Sequence, residues 1–364
     1  MLTATLRLYS PAGQLLPSGV ITNYTSLGYS KILHNVGLIK FVLPGDHPVI
    51  EHLEDQCQAT VTLKDLDRGI DPWVDWEGFY REPQKTGYRP IKFAGTGVDC
   101  KSLLSRRIVA YKASISNYSV FSGLELDLVM KRIVDYNCCA NATTANGRER
   151  NGAITGFTTG SVSSVGNIGS WYCSFNNVLT TLQELAPLSG GDFDVIKTGV
   201  ASWRWDWYQY QLGSDLTDTL TFSVGRGNME SPVWNLYRIQ EKTVAIVGGQ
   251  DNGVNRQITI TTGANYSSSN DIEVFVNAPQ ALDATTRTAK GDAKLAELES
   301  VEEFSFKIKD VESSLYGRDY GFGDLVNAVN PYDGSSIDVQ ITRVDVDIPG
   351  PNRAPRIAIQ ATNK

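Results

Sequence analysis

The chain has 364 residues, of which 41% are hydrophobic and 20% are charged, and its formal net charge is -7. This composition indicates a globular protein of about two or three domains and argues against extended disorder. The negative charge and the lack of a dense Lys/Arg block argue against charge-driven binding to DNA by the whole chain, and we expect no sequence-specific nucleic-acid partner. No window approaches the ~20 apolar residues of a membrane span, and no signal-peptide pattern opens the chain. We therefore expect synthesis in a cytoplasm.

Alternating apolar residues predict strands at the beginning of the chain. Leu2–Leu8, Ile39–Leu43 and Ala59–Leu63 each place an apolar side chain at every second position, which is the period of a half-buried strand. A short helix with Pro48 near its start is predicted between the last two of these runs. We assign residues 1–108 to an N-terminal β domain with an inserted helix.

Helical spacing dominates the middle of the chain. Apolar residues within 126–134 and within 178–186 recur three or four positions apart, so each segment is predicted to form a helix with one apolar stripe. A third helix is predicted over 285–303. We expect an α+β middle domain over 109–230, followed by a β insertion and a connecting helix over 231–300.

Strand alternation returns at the end of the chain. Apolar residues keep one parity in 337–341 and the other in 344–348, and such a change predicts a bulge or bend. Asp333-Gly334 predicts a hairpin turn before this strand. We assign 301–364 to a C-terminal β domain. The fold class is therefore α+β with β dominant, with two β regions bracketing a helix-containing middle.

Signals of catalysis and of metal or cofactor binding are weak. The three histidines and five cysteines lack zinc-ligand spacing, and the sequence has neither a nucleophile elbow nor a Walker lysine pattern. Asp75 and Glu77 are paired carboxylates beside Trp73 and Trp76, but glycosidase carboxylates flank their substrate from different elements. We predict a protein that is not an enzyme and has no catalytic residue, metal or cofactor.

Trp203, Trp205 and Trp207 form the most suggestive binding pattern in the sequence. They alternate with polar residues, so a strand would place all three indoles on one face. This face could fill a core or a subunit interface, because large aromatic side chains contribute much burial energy. It could also stack on sugar rings, which makes a carbohydrate-binding module the alternative function. A hydrolase with unrecognised residues is a third hypothesis.

The order of these features resembles the tail-hub proteins of siphovirus-type phages. Segment 316–326 is the strongest similarity and looks like the family's glycine-aspartate hairpin. Its candidate turn residues are Gly317, Asp319, Gly323 and Asp324. Gly321 and Gly323 are expected to take positive φ, and Asp324 to bond local amides. Weaker similarities cover Gly95–Ile108, Val178–Asp194 and Asn235–Gly249.

This resemblance implies a homotrimeric hub or baseplate ring at the tail tip of the virion, on the path of DNA ejection. The N- and C-terminal regions would be β-barrel-like domains related to the tail tube, and they would pair with each other into a tube-like barrel. Three copies would then match the six-fold tube, with the middle region outside the ring. The implied partners are further copies of the chain, a distal tail protein, the tape measure protein and a tail tip or receptor-binding protein.

Overall fold

The chain folds into two compact units in the computed structural model, and β structure predominates as the alternation predicted. The first unit contains residues 1–231 and 306–362, and the second contains residues 232–305. The structure describes residues 2–86, 92–111, 119–173, 175–251, 253–279, 281, 283–350, 353 and 355–363.

The strands and α-helices of the described residues have the following bounds. The strands are β1 (Thr3–Tyr9), β2 (Leu15–Ile21), β3 (Ser26–Ile32), β4 (Leu38–Pro44), β5 (Gln58–Asp65), β6 (Ile70–Thr86), β7 (Lys92–Asp99), β8 (Val120–Glu125), β9 (Phe157–Thr159), β10 (Ile168–Tyr172), β11 (Gly191–Gly199), β12 (Ser202–Gln209), β13 (Thr221–Phe222), β14 (Met229–Tyr237), β15 (Val244–Gly248), β16 (Ile258–Thr262), β17 (Glu273–Asn277), β18 (Val301–Ile308), β19 (Leu325–Val329), β20 (Ser336–Ile348) and β21 (Arg356–Asn363). The α-helices are α1 (Ser102–Ser105), α2 (Leu126–Cys138), α3 (Val178–Ser189) and α4 (Ala284–Glu297).

One large sheet joins both ends of the chain in the first unit. Its neighbouring strands run in the order β21-β20-β3-β4-β7-β6-β5-β1-β2, and β19 pairs with both β20 and β13. The resemblance implied N- and C-terminal β-barrel-like domains that pair with each other, and in the structure β3 and β20 pair directly within one sheet. Over the part of the chain that the structure describes, this path is open and closes no barrel. Alternation identifies the buried face of a strand but not its neighbour, so the sequence predicted neither which strands pair nor that the sheet stays open.

The change of parity in the last long strand coincides with a change of partner. The first half of β20, Ser336–Gln340, pairs with β19. Its second half, Arg343–Ile348, pairs with β3. The predicted hairpin turn at Asp333-Gly334 lies between β19 and β20, and the Gly334 amide donates to the Asn330 carbonyl (2.8 Å). One strand therefore connects the C-terminal hairpin to the N-terminal strands.

Three helices and a small sheet enclose a separate apolar core within the first unit. The predicted helix at 126–134 lies within α2, and the one at 178–186 lies within α3. Asn177 caps α3, because its Oδ1 accepts the Leu179 amide (3.0 Å). This helix continues two residues past Pro187 and ends at Ser189, with Gly190 in the left-handed region. A proline in the last turn removes little of the hydrogen-bonded ladder, so the helix persists.

The second unit is built on a three-stranded sheet with one helix. β15 lies between β16 and β17, and it runs antiparallel to the former and parallel to the latter. The predicted third helix ends at Glu297, six residues early, because β18 begins at Val301.

The predicted helix near Pro48 is a short 3-10 helix over Pro48–His52. No helix in the described ranges is long and apolar enough to cross a membrane.

Candidate functional site

A buried carboxylate at Asp75 is the centre of a polar junction in the first unit. Tyr29 Oη donates to Asp75 Oδ2 (2.6 Å), and Tyr316 Oη donates to Oδ1 (2.7 Å). Lys31 Nζ (3.2 Å) and Trp73 Nε1 (3.3 Å) also donate to Oδ1. The donors come from β3, from β6 itself and from the segment that precedes β19. Asp75 therefore links N-terminal strands to a C-terminal segment 241 residues away.

The surroundings of Asp75 favour its charged form. Burial alone would raise the pKa of Asp75, but Lys31 and the hydrogen bonds from Tyr29 and Tyr316 outweigh burial and lower the pKa. Burial and the carboxylate hold the pKa values of Tyr29 and Tyr316 well above their ordinary value. At neutral pH the junction is thus a carboxylate that accepts hydrogen bonds from neutral phenols and one ammonium group.

Phe322 adds a second contact between the same parts of the chain. Its ring lies 5.0 Å from Lys31 Nζ and 5.9 Å from Lys101 Nζ, within range of a cation–π interaction. Lys101 also pairs with Asp99 Oδ2 (2.9 Å) and with Asp194 Oδ1 (3.3 Å). Burial alone would lower the pKa of Lys101, but these carboxylates outweigh it and raise the pKa. The aromatic ring therefore covers two cations that are held by the N-terminal strands and by the turn after β7.

Glycines at two of the predicted turn positions adopt positive φ. Gly317 has φ +82 and packs against the Trp73 indole, where an added Cβ would lie 2.4 Å from a ring carbon. Gly323 has φ +90, and an added Cβ would lie 2.9 Å from Leu212 Cβ. Only glycine takes such φ values without steric cost. Gly321 was also expected to have positive φ, but it lies outside that region.

The two aspartates of the predicted turn accept backbone amides. Asp324 Oδ1 accepts from the Ser214 amide (2.7 Å) and Oδ2 from the Gly321 amide (2.6 Å). Asp319 Oδ2 accepts from the Leu315 amide (2.8 Å). Asp319 therefore organises the segment locally. Asp324 also fastens the segment to the loop that follows β12.

The three tryptophans of the predicted stripe lie in the core around the helices. Trp205 is fully buried, and Trp203 and Trp207 are 7% and 9% exposed. Trp203 packs on Phe79 with ring centroids 5.2 Å apart, and Trp207 Nε1 donates to Ser189 Oγ (3.1 Å). The stripe faces the helices, so the alternative of a sugar platform has no exposed indole face to use.

The sequence did not single out the residues at the centre of the junction. Asp75 was noticed only as one of a pair with Glu77, and Lys31, Lys101 and Tyr316 were not identified as a set. One local signal was available in the sequence: Asp75 shares its parity with Trp73 in the run that forms β6. In the structure Asp75 is 5% exposed. A carboxylate at a core-facing position requires partners. Both Asp75 oxygens are occupied by donors, so the arrangement is suited to cross-linking segments.

Comparison with known proteins supports a fold already seen in phage tails. A family model described as Siphovirus ReqiPepy6 Gp37-like protein matches residues 5–357. The 43 kDa tail protein of prophage MuSo2 from Shewanella oneidensis shares 9% identity and a TM-score of 0.58, over 99% of this chain and 97% of that chain. A tail protein from Neisseria meningitidis MC58 shares 10% identity and a TM-score of 0.58, over 100% of this chain and 97% of that chain. Prophage tail protein gp18 from Listeria monocytogenes EGD-e shares 12% identity and a TM-score of 0.55, over 100% and 94%. Comparison with curated proteins gives no match.

Proposed function

The chain belongs to the family of Siphovirus ReqiPepy6 Gp37-like proteins, and we propose on that premise that it is a structural component of a phage tail. We propose more specifically that it forms a hub or baseplate ring joining the tail tube to the tip and the host-binding apparatus. The observation that carries the proposal is the fold shared with solved tail proteins over nearly the whole of both chains.

The Asp75 junction supports a mechanical role in such a ring. Tyr316 and Phe322 of the C-terminal region contact Asp75, Lys31 and Lys101 of the N-terminal region. Removing one partner from a buried charge network is costly, commonly about 3–5 kcal/mol. The junction therefore fastens the C-terminal segment to the N-terminal region, which suits a ring subunit under mechanical load.

A sheet edge with no partner strand among the described residues supports contact with neighbouring copies. β2 ends the path of the large sheet in the first unit, and its Leu15 and Val20 are each 50% exposed. Exposed edges are usually protected or paired. Pro17 lacks an amide hydrogen and Ser18 has φ +54, so we expect contact through side chains instead of a continuous backbone ladder.

In the proposed ring three copies close around an axis, since a repeated heterologous contact closes a ring when its rotation permits. Residues 1–108 and 301–364 serve as the tube-related parts, and 109–230 lies outside the ring. The residues 231–300 are an insertion. A distal tail protein, the tape measure protein and a tip or receptor-binding protein are the proposed neighbours. The protein assembles in the host cytoplasm and remains in the virion tail tip.

Two measurements test this proposal. Light scattering of the purified full-length chain should give three times the chain mass, and a monomer at every concentration would argue against the ring. Electron microscopy of virions with a label on the chain should show the label at the tail tip. Label along the tube or at the head would contradict a hub position, even if the protein is trimeric.

A further inference from the structure

An open cavity lies beside the short helix α1 in the first unit. Its volume is about 530 Å³, which is within the size range of sites for small molecules. Its walls come from the start of β4, from the β6–β7 hairpin and from α1. The cavity is distant in the sequence from the C-terminal segment of the Asp75 junction, and none of the residues of that junction lines it.

One wall of the cavity is apolar. Leu38 lies directly beside Val98 where β4 pairs with β7, and Leu38 is 59% exposed. Val36 and Val98 line the cavity and also pack partly against the core around the helices. This wall offers a firm apolar surface to the body of a small ligand.

The α1 wall carries a buried hydroxyl group. Ser102 lines the cavity and is 6% exposed, and its Oγ has no hydrogen-bond partner within the described ranges. The neighbouring Ser105 Oγ donates to the Ser102 carbonyl (2.8 Å), so it does not serve Ser102 Oγ. A buried hydroxyl without a partner is destabilising. An acceptor atom of a ligand in the cavity would remove that penalty.

A half-buried guanidinium group lines the cavity next to these serines. Arg106 stacks on Phe79, with its Cζ 5.0 Å from the ring centroid, and donates to Gln56 Oε1 (2.5 Å). No carboxylate lies within ion-pair distance of Arg106 in the part of the chain that the structure describes. A guanidinium has five N–H donors. The stacking fixes the plane of this one, and Gln56 uses only one side of it.

A second guanidinium makes the cavity net positive. The pairing of β6 with β7 is irregular between Tyr80 and Glu82, so the adjacent residues Arg81 and Glu82 both line the cavity. Glu82 is the single carboxylate among the described lining residues, against two arginines. Arg81 Nε lies 3.4 Å from Asp55 Oδ1, but both side chains are largely exposed, and such a surface pair is readily exchanged for a ligand.

The environment of Arg106 is consistent with a missing counter-charge. Burial and the neighbouring guanidinium groups of Arg81 and Arg107 lower the pKa of Arg106, and Asp55 only partly opposes them. The whole chain has a net charge of -7, so a local excess of cations is unusual for it. An oxyanion beside Arg106 would relieve this repulsion.

We propose that this cavity binds a small organic carboxylate. The carboxylate pairs with Arg106, since guanidinium and carboxylate groups match in geometry, and it accepts a hydrogen bond from Ser102 Oγ. The apolar part of the ligand lies against Leu38 and Val98. A free molecule and the last residue of another chain carry the same chemical groups, so both are sources of such a ligand. The site requires neither a ring nor a position in a tail.

Nuclear magnetic resonance of the full-length chain with labelled Leu and Val methyl groups tests the site. We expect hexanoate to shift the Leu38 and Val98 signals saturably. Hexanamide should bind about tenfold more weakly, because charge-assisted hydrogen bonds are roughly twice as strong as neutral ones. Inorganic phosphate, which lacks the apolar part, should also bind more weakly. The Leu15 and Val20 signals, at half-exposed positions of the same unit, should not move. Equal affinity for hexanoate and hexanamide, or no saturable shift, would overturn the proposal.

Two variants and a matched control assign the contacts. Ser102→Ala should weaken hexanoate binding about fivefold, the loss of one neutral hydrogen bond, and Arg106→Gln should weaken it at least tenfold, the loss of a charged one. Arg343→Gln, at a largely exposed arginine of the same unit, should leave the affinity unchanged. Ser102→Ala removes only an unpartnered oxygen, so it keeps the test open if Arg106→Gln fails to fold. Unchanged affinity in Ser102→Ala would overturn the proposal.

A competition experiment distinguishes the two sources of the carboxylate. A short peptide that ends in leucine with a free carboxylate is added to the hexanoate complex, and the same peptide with an amidated end is the control. Displacement by the free-acid peptide alone supports the proposal and identifies a chain end. Failure of both peptides, with hexanoate still bound, supports it with a free molecule as ligand. Equal displacement by the amidated peptide would overturn the role given to the carboxylate.

Discussion

Replacement of Asp75 by alanine tests the polar junction directly. The change leaves Tyr29, Tyr316 and Trp73 without their acceptor inside the protein, whereas Lys31 is partly exposed and can turn towards water. Loss of one member of a buried charge network costs about 3–5 kcal/mol, because the remaining groups stay desolvated. We expect a loss of that size in the free energy of unfolding of the first unit.

Replacement of Asp75 by asparagine should be much milder. Oδ1 accepts three of the four donors, from Tyr316, Lys31 and Trp73. An asparagine can keep its oxygen on that side and turn its amide towards Tyr29, whose hydroxyl can rotate to accept. What disappears is the charge, and a hydrogen bond to a charged group contributes about 1.5–3 kcal/mol against about 1 kcal/mol for a neutral one. We expect a loss of about 1–2 kcal/mol.

Urea unfolding, followed by tryptophan fluorescence and circular dichroism, measures the free energy of unfolding of both variants. Fluorescence is a suitable probe because Trp73 donates to Asp75. Asp218→Asn, at an exposed aspartate of the same unit, is the matched control and should leave the midpoint unchanged. Equal losses for alanine and asparagine, or a loss below about 1 kcal/mol for alanine, would refute the role assigned to the hydrogen bonds.

Three further predictions concern the same unit. Because the pKa of Asp75 is lowered in the folded state, ionised Asp75 stabilises the protein above the ordinary carboxyl pKa, and this stabilisation is lost as pH falls through the pKa of Asp75 in the folded state. The difference in free energy of unfolding between the natural chain and Asp75→Asn should therefore narrow below roughly pH 4. A constant difference in urea titrations from neutral to acid pH would contradict this. Gly317→Ala should lower the free energy of unfolding by roughly 2 kcal/mol or more, because φ is +82 and the new Cβ meets the Trp73 ring. Gly69→Ala, at a position with positive φ but open space around it, should lower the free energy of unfolding less in the same assay. Trp205→Ala should lower the free energy of unfolding by about 3–5 kcal/mol through the cavity it leaves. This loss should far exceed that of alanine at Tyr332, which is 66% exposed in the same unit, and similar thermal midpoints for both would place Trp205 outside the core.

Local patterns predicted the elements of this fold much better than their assembly. The apolar spacing of Leu126, Val129 and Ile133 marks the buried side of α2, because one helical turn fixes which residues share a face. The pairing of β3 with β20 joins residues about 300 positions apart, and no local pattern encodes a strand's neighbour. The change of parity before Val344 was visible, but its cause, a change of partner strand, was not.

In the candidate site, too, the sequence predicted local contacts but not contacts between distant segments. The acceptor role of Asp324 towards a nearby amide follows from aspartate chemistry in a glycine-rich turn, and the Gly321 amide supplies the bond. The partners of Asp75 could not be predicted, because Tyr29 and Tyr316 are 46 and 241 residues away. Their hydroxyls can donate to Asp75 only when the folded sheet places β3, β6 and the C-terminal segment together.

The pairing of β3 with β20 has a consequence for synthesis on the ribosome. When β3 and β4 have emerged, the strand that completes their sheet is still untranslated, since β20 begins only at Ser336. A nascent or truncated chain therefore displays the uncovered hydrogen-bonding edge of β3, which invites aggregation or chaperone binding. Only after β20 has been synthesised can β3 pair with it and withdraw this edge.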